Sequence, residues 1–308
     1  MAAQHTSDLE ALFADDAFEG EALRGELLSR YTTYRIGGPA RFLVRVESLS
    51  ALSSLVARCE ACGLPWSVIG KGSNLLVSDE GFNGVAIVLG GGFRVCRFDE
   101  QRSCFVAGAG LALASLVQEA FKRALAGLEF AVGIPGTLGG AIRMNAGSDR
   151  EWIGSKVYSV TTHSAQKGLS RYLGSDISWG YRTCSLPDDE IVVECEIVLA
   201  AALASYIRGK MEASLTKRNK SQPFNQASCG SIFRNPEGFH AAALIEELGL
   251  KGQVIGGAAV SQVHANFIVN TGGARAVDVR ELIDMIQAKV KEHYGIELQP
   301  EVKFLGFA

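Results

Sequence analysis

Gly127-Leu-Glu-Phe-Ala-Val-Gly133-Ile134-Pro135-Gly136-Thr137-Leu-Gly139-Gly140-Ala141-Ile-Arg-Met-Asn145-Ala146-Gly147 sets six glycines among apolar residues without turning hydrophilic. A surface loop would be more polar. Buried main chain must find partners for its N–H and C=O groups, so this passage reads as backbone pressed against a large hydrogen-bonding ligand. The alternative is a tightly packed turn between elements. Two shorter loops have the same character: Gly108-Ala109-Gly110, and Gly70-Lys71-Gly72-Ser73-Asn74 ahead of the apolar Leu75-Leu76-Val77. In the latter, glycines let N–H groups approach a phosphate, and Ser73 and Asn74 add short donors. A structural turn would use the same residues. It is not a Walker loop, because the lysine precedes the serine by two residues.

The flanking sequence alternates between strand and helix periods. Phe42, Val44 and Val46 recur every second residue, and Leu52, Leu55, Val56, Cys59 and Cys62 then take helical spacing, with Ser48 as cap and Gly63 as stop. Trp66-Ser-Val-Ile69 returns to strand, which makes a strand, helix, strand beginning suited to a nucleotide. Residues 85–89, 94–98 and 104–108 read as short strands, 112–125 as a helix, and 157–163 and 190–200 as further strands. The segment 205–220 puts Ile207, Met211 and Leu215 on one helical face and ends basic. A change of composition near Ala204 suggests a boundary. The last part holds a helix about 242–248, a strand 266–270, and a helix 277–294 whose Val279, Leu282, Ile283, Ile286 and Val290 share a face, with Gly295 as its stop.

With 308 residues the chain can build two or three packed units. Thirty basic against 33 acidic residues give a net charge of -3, which supplies no general attraction to nucleic acid or an anionic membrane. Seven scattered cysteines fit reduced thiols in a cytosol better than a disulfide framework. Cys59 and Cys62 lack a second pair to complete a zinc site and read as helix-packing thiols, so no metal is expected. The first residues carry acids instead of a basic start with an apolar stretch, and no apolar run approaches the roughly 20 residues of a membrane span. A cytoplasmic protein is expected, with residues 1–20 as a leader.

Six blocks carry a resemblance: residues 32–40 (TTYRIGGPA), 69–77 (IGKGSNLLV), 127–147, Tyr181-Arg182, 228–236 (SCGSIFRNP) and 300–306 (PEVKFLG). In this order and spacing, from Tyr31 to Gly306, the chain resembles the UDP-N-acetylenolpyruvoylglucosamine reductases (UDP-N-acetylmuramate dehydrogenases). The eight residues between Tyr181 and Glu190 leave no room for a long insertion with a mobile tyrosine, so it looks like the shorter branch of that family. The resemblance implies an α+β fold: a two-part FAD-binding region of the vanillyl-alcohol-oxidase (PCMH) type, then an α/β substrate-binding domain. The division expected is 21–90 and 91–204 for the two FAD-binding parts, with a C-terminal strand in 298–308 returning to the first, and 205–297 for the substrate. It also implies the activity, in which NADPH reduces FAD and the reduced flavin reduces an enolpyruvyl ether to a lactyl ether.

That chemistry needs a charge stabiliser and an acid. Arg182 matches the family arginine that meets the developing enolate, and its guanidinium is charged at any working pH. Ser231 matches the proton donor, a role that requires surroundings able to stabilise an alkoxide. Glu301 matches the active-site glutamate; the pattern of the terminal strand buries Val302 and Phe304 and turns Glu301 to the other side with Lys303. The resemblance assigns the flavin to Gly37, Gly38, Gly70, Lys71, Gly72, Ser73, Asn74, Leu75, Gly108, Gly110, Gly133, Ile134, Pro135, Gly136, Thr137, Gly139, Gly140, Ala141, Asn145, Ala146 and Gly147. Arg218, Lys220 and Asn235 are expected at the substrate. Residues 148–154 depart from the family's usual glycine- and tyrosine-rich turn. A flavoprotein of the same scaffold with another substrate, or an inactive nucleotide-sugar-binding module, are the alternatives.

Overall fold

A computed structural model describes residues 9–148 and 151–307. The first eight residues of the expected leader, and Asp149 and Arg150 of the divergent turn, lie outside the described residues. The chain divides into two compact units, one comprising residues up to Arg24, Phe42–Gly70 and Gly84–Thr216, the other Gly25–Arg41, Lys71–Asn83 and residues from Lys217 onward.

The first unit has two larger sheets among the described residues. One has the strand order Gly20–Arg24, Ala40–Val46, Phe82–Leu89, Trp66–Val68, its outer pairs antiparallel and parallel respectively. Helix α1 (Leu49–Ala61) belongs to this unit, and Ser48 Oγ accepts from the Ala51 N–H at 3.2 Å as the cap. It buries Leu52, Leu55, Val56 and Cys59, and burial pushes the Cys59 thiol up to about 12, which leaves it inert in the core. The second sheet is antiparallel throughout, in the order Gly168–Leu173, Val157–Ser164, Ile191–Val198, Cys104–Gly108, Cys96–Asp99. Helix α2 (Leu113–Lys122) covers 113–122 of the expected helix and buries Leu113, Leu116, Val117 and Ala120. The glycine-rich passage contains a helix of its own, α3 (Leu138–Arg143), with Thr137 at its N-cap.

Helix α4 (Ala204–Ser221) forms over the expected segment with its basic end; on the Ile207, Met211 and Leu215 face Ile207 is buried, Met211 half-buried and Leu215 41% exposed.

The second unit packs around α5 (Ala241–Glu247) and α6 (Ala276–Tyr294). Helix α6 buries Val279, Leu282, Ile283, Ile286 and Val290, the stripe its sequence predicts, and ends at Gly295 with φ +69°. Its N-terminus is held by a residue distant in sequence: the Asp79 carboxylate accepts from the N–H groups of Ala276 at 2.7 Å and Val277 at 3.0 Å. A three-stranded antiparallel sheet, Val254–Ile255, Ala258–Val260, Ile268–Asn270, packs with α6. The terminal strand Lys303–Leu305 pairs in parallel with Leu75–Val77. It starts two residues later than the pattern suggests, with Val302 and Leu305 buried and Phe304 half-buried. Among the described residues no helix is long and apolar enough to cross a membrane.

Candidate functional site

The glycine loops of the first unit divide by what their N–H groups do. Gly108 donates to Val95, Gly110 to Phe93 and Gly139 to Ala109, so these lock the loops together. A Cβ on Gly139 would come within 2.9 Å of Ala109 Cβ, which explains the glycine by the close passage of two segments. Ala141, Asn145 and Ala146 also donate to backbone carbonyls. By contrast, the N–H groups of Gly70, Gly133, Gly136 and Thr137 have no acceptor among the described residues. Gly140 is exposed, with only the Thr137 hydroxyl near its Cα face.

In the second unit the same division holds. Gly38 donates to Ser78, whereas Gly37, Lys71 and Gly72 have N–H groups without an acceptor among the described residues. Gly72 is buried at φ +57°, and its carbonyl accepts from the Thr33 N–H at 3.3 Å. A Cβ there would lie 2.3 Å from Tyr31 O, so only glycine fits. In each unit, backbone donors lacking a protein acceptor are what an acceptor-rich ligand such as a dinucleotide requires, and they fit an FAD. Asn74 Nδ2 donates to Glu301 O at 3.1 Å, and its carbonyl accepts from the Lys303 N–H at 3.0 Å.

Arg182 occupies the two-residue turn of a hairpin made by Trp179–Gly180 and Thr183–Cys184, at φ +58°. Non-glycine residues rarely adopt that conformation. Its Nη1 donates to Gly147 O at 3.0 Å, and its guanidinium lies 5.4 Å from the centroid of the exposed Tyr181 ring. Asn145 is buried at φ +39° and belongs to this hairpin, because Nδ2 donates to Gly180 O at 2.8 Å while Oδ1 accepts from Gly154 N–H at 3.1 Å. Arg143 continues the bracket with bonds to Leu186 O at 2.9 Å and Pro187 O at 2.8 Å, and to Glu190 O.

Ser231 is half-buried after Gly230 at φ +83°, and its hydroxyl has no partner among the described residues. The segment around it is fixed on every side. Thr33 Oγ1 donates to Ser228 O at 2.7 Å, Ile232 N–H to Asn266 O at 2.9 Å, and Arg234 N–H to Gln299 O at 2.9 Å. The Asn266 carboxamide clamps Phe233 at both ends, accepting from its N–H at 2.9 Å and donating to its carbonyl at 2.8 Å. Glu301 N–H donates to Ile232 O at 2.7 Å, which brings the glutamate alongside the Ser231 segment. Cys229 cannot replace Ser231 as acid: it is 1% exposed, and burial pushes its thiol up to about 12. Tyr34 beneath it donates to Ile268 O at 2.8 Å, and burial first, then the neighbouring Cys229, raises its hydroxyl well above the ordinary range. Asn235 Oδ1 accepts from Ala241 N–H at 3.0 Å at the start of α5. Arg218 is half-buried and Lys220 exposed at the basic end of α4.

Asn266, Asp79 and Arg143 were not among the expected site residues. An asparagine inside the apolar stretch 265–269 is the one signal that pointed to Asn266, since asparagine is disfavoured in strands unless its amide is engaged.

A family model described as an FAD binding domain matches residues 40–161. The solved structure titled wild-type Phl p 4.0202, a glucose dehydrogenase, shares the fold at 14% identity and a TM-score of 0.51, covering 64% of this chain and 44% of that one. With the unclaimed N–H groups, these findings give the chain an FAD-binding fold. A second model, UDP-N-acetylenolpyruvoylglucosamine reductase, C-terminal domain, matches residues 222–305. The UDP-N-acetylenolpyruvoylglucosamine reductase of Heliobacterium modesticaldum is 44% identical over 94% of this chain and 92% of its own. The crystal structure of the enzyme of that name from Thermus caldophilus superposes with a TM-score of 0.79 at 36% identity, over 93% of this chain and 98% of that one. The chain belongs to the UDP-N-acetylenolpyruvoylglucosamine reductase family.

Proposed function

We propose that the protein reduces UDP-N-acetylglucosamine enolpyruvate to UDP-N-acetylmuramate with NADPH as electron donor, a step of peptidoglycan precursor synthesis in the cytoplasm. FAD, when bound, would supply the hydride chemistry that carries reducing equivalents from NADPH to the enolpyruvyl group, and one proton would complete the lactyl ether. Arg182 stabilises the negative charge that develops on the neighbouring carbon and its carboxylate. Ser231 delivers the proton, and Glu301 supports the serine. The N–H groups of Gly37, Gly70, Lys71, Gly72, Gly133, Gly136 and Thr137 hold acceptor atoms of the cofactor, while Gly108, Gly110 and Gly139 shape the loops. Arg218 and Lys220 meet the diphosphate, and the Asn235 amide nitrogen serves the substrate. In this reading residues 21–204 carry the flavin and 205–297 the UDP-sugar.

The observation that carries the reading is the rigidly bonded Ser231 segment with Glu301 beside it, since flavin binding alone requires neither. Ser231→Ala should keep its FAD and its reduction by NADPH but slow reoxidation of the flavin by substrate about 10²-fold or more. Equal loss in both half-reactions would contradict the role given to Ser231.

A further inference from the structure

We infer that Asn145 is a positioning residue for Arg182, set in a bracket whose other arm is Arg143. The inference rests on the reading of Arg182 as the charge stabiliser. Arg182 stands in a backbone conformation that its own side chain does not favour, at the tip of a hairpin only two residue pairs long. So short a hairpin does not hold its tip by itself. Support comes from the end of α3: Asn145 Nδ2 bonds Gly180 O at 2.8 Å on the near strand, and the Cys184 thiol donates to Arg143 O at 3.7 Å on the far strand. Beyond the hairpin, Arg143 fixes Leu186 and Pro187. The returning bond from Arg182 Nη1 to Gly147 O, 3.0 Å, falls two residues after Asn145. Both amide atoms of Asn145 are bonded within the protein, Nδ2 to Gly180 O at 2.8 Å and Oδ1 to the Gly154 N–H at 3.1 Å. Asn145 and Gly147 thus hold the hairpin that carries the arginine.

The test is a double-variant cycle on the FAD-loaded protein. Asn145→Gly removes both side-chain bonds while tolerating the positive φ, and Asn145→Asp keeps the acceptor for Gly154 but loses the donor to Gly180. A displacement of about 1 Å costs on the order of 10²-fold, so both should slow flavin reoxidation by the enolpyruvyl UDP-sugar by that order. The loss should fall on the limiting rate at saturating substrate, with NADPH reduction within about threefold of the parent. In an Arg182→Lys background, Asn145→Gly should add no more than about twofold, because the group it positions is already altered. Full multiplicative losses in the double variant, or a parental rate for Asn145→Asp, overturn the inference. If Asn145→Gly does not fold, Arg143→Leu in the same cycle decides between the same two outcomes. A parental reoxidation rate for Arg182→Lys alone would instead refute the role given to Arg182.

Discussion

Replacing Asn266 by alanine removes two hydrogen bonds at once, both to the backbone of Phe233, two residues from Ser231. Asn266 is 4% exposed and Phe233 1%, so water cannot take over either bond without opening the unit. Each ordinary hydrogen bond contributes about 1 kcal/mol net, and each buried group left unpaired costs about 1–3 kcal/mol. Losing the pair should therefore cost about 2–6 kcal/mol, with a smaller part from the lost side-chain volume. Asn266→Asp restores only the acceptor and places a carboxylate oxygen against Phe233 O, so it should not recover stability. Urea unfolding followed by circular dichroism measures the cost, and amide exchange at Ile232 and Phe233 locates it. The same change loosens the Ser231 segment, so flavin reoxidation by substrate should slow on the order of tenfold or more. A loss below about 1 kcal/mol with unchanged exchange at residues 232 and 233 would refute the clamp.

Other consequences are equally concrete. Gly72→Ala would force a Cβ to 2.3 Å from Tyr31 O at a φ of +57°, and the purified protein should carry markedly less FAD, read from the ratio of flavin to protein absorbance. Asp79→Ala leaves the Ala276 and Val277 N–H groups of α6 without their acceptor and should cost about 1 kcal/mol in urea unfolding; Asp79→Asn should cost less. Burial would raise the Glu190 carboxyl, but bonds from Thr162, Lys167 and Tyr172 outweigh it and hold the group below its ordinary 4.5. Its stabilisation is thus complete above pH 4.5 and disappears as pH falls through the lowered value. Melting temperature should drop less steeply on acidification in Glu190→Gln than in the parent, and parallel acid profiles would count against this.

Much of the fold was legible in the sequence because periodicity and burial agree. The five-residue stripe of α6, the Ser48 cap of α1 and the strand Cys104–Gly108 follow from spacing and cap residues. The strand Gly168–Leu173 escaped notice because it is an edge strand whose pattern alternates half-buried with exposed and offers no apolar run. Helix α3 hid inside a glycine-rich passage that propensity argues against. At the site, residue types were readable but their directions were not. The sequence shows asparagines at 74 and 145; only the structure shows that one holds the Glu301 segment and the other the Arg182 hairpin. Likewise, glycine spacing reveals that main chains approach closely, and only the bonding pattern separates the N–H groups facing other loops from those left for a ligand.

This flavoprotein is expected to deliver its electrons to an enolpyruvyl UDP-sugar. Anaerobic stopped-flow absorbance tests it most directly: the protein is reduced with NADPH and then mixed with UDP-N-acetylglucosamine enolpyruvate. Rapid return of oxidised flavin with formation of UDP-N-acetylmuramate is the predicted result. Reduced flavin that persists with this substrate yet reoxidises with a different acceptor would contradict the account while leaving the flavin-binding fold intact.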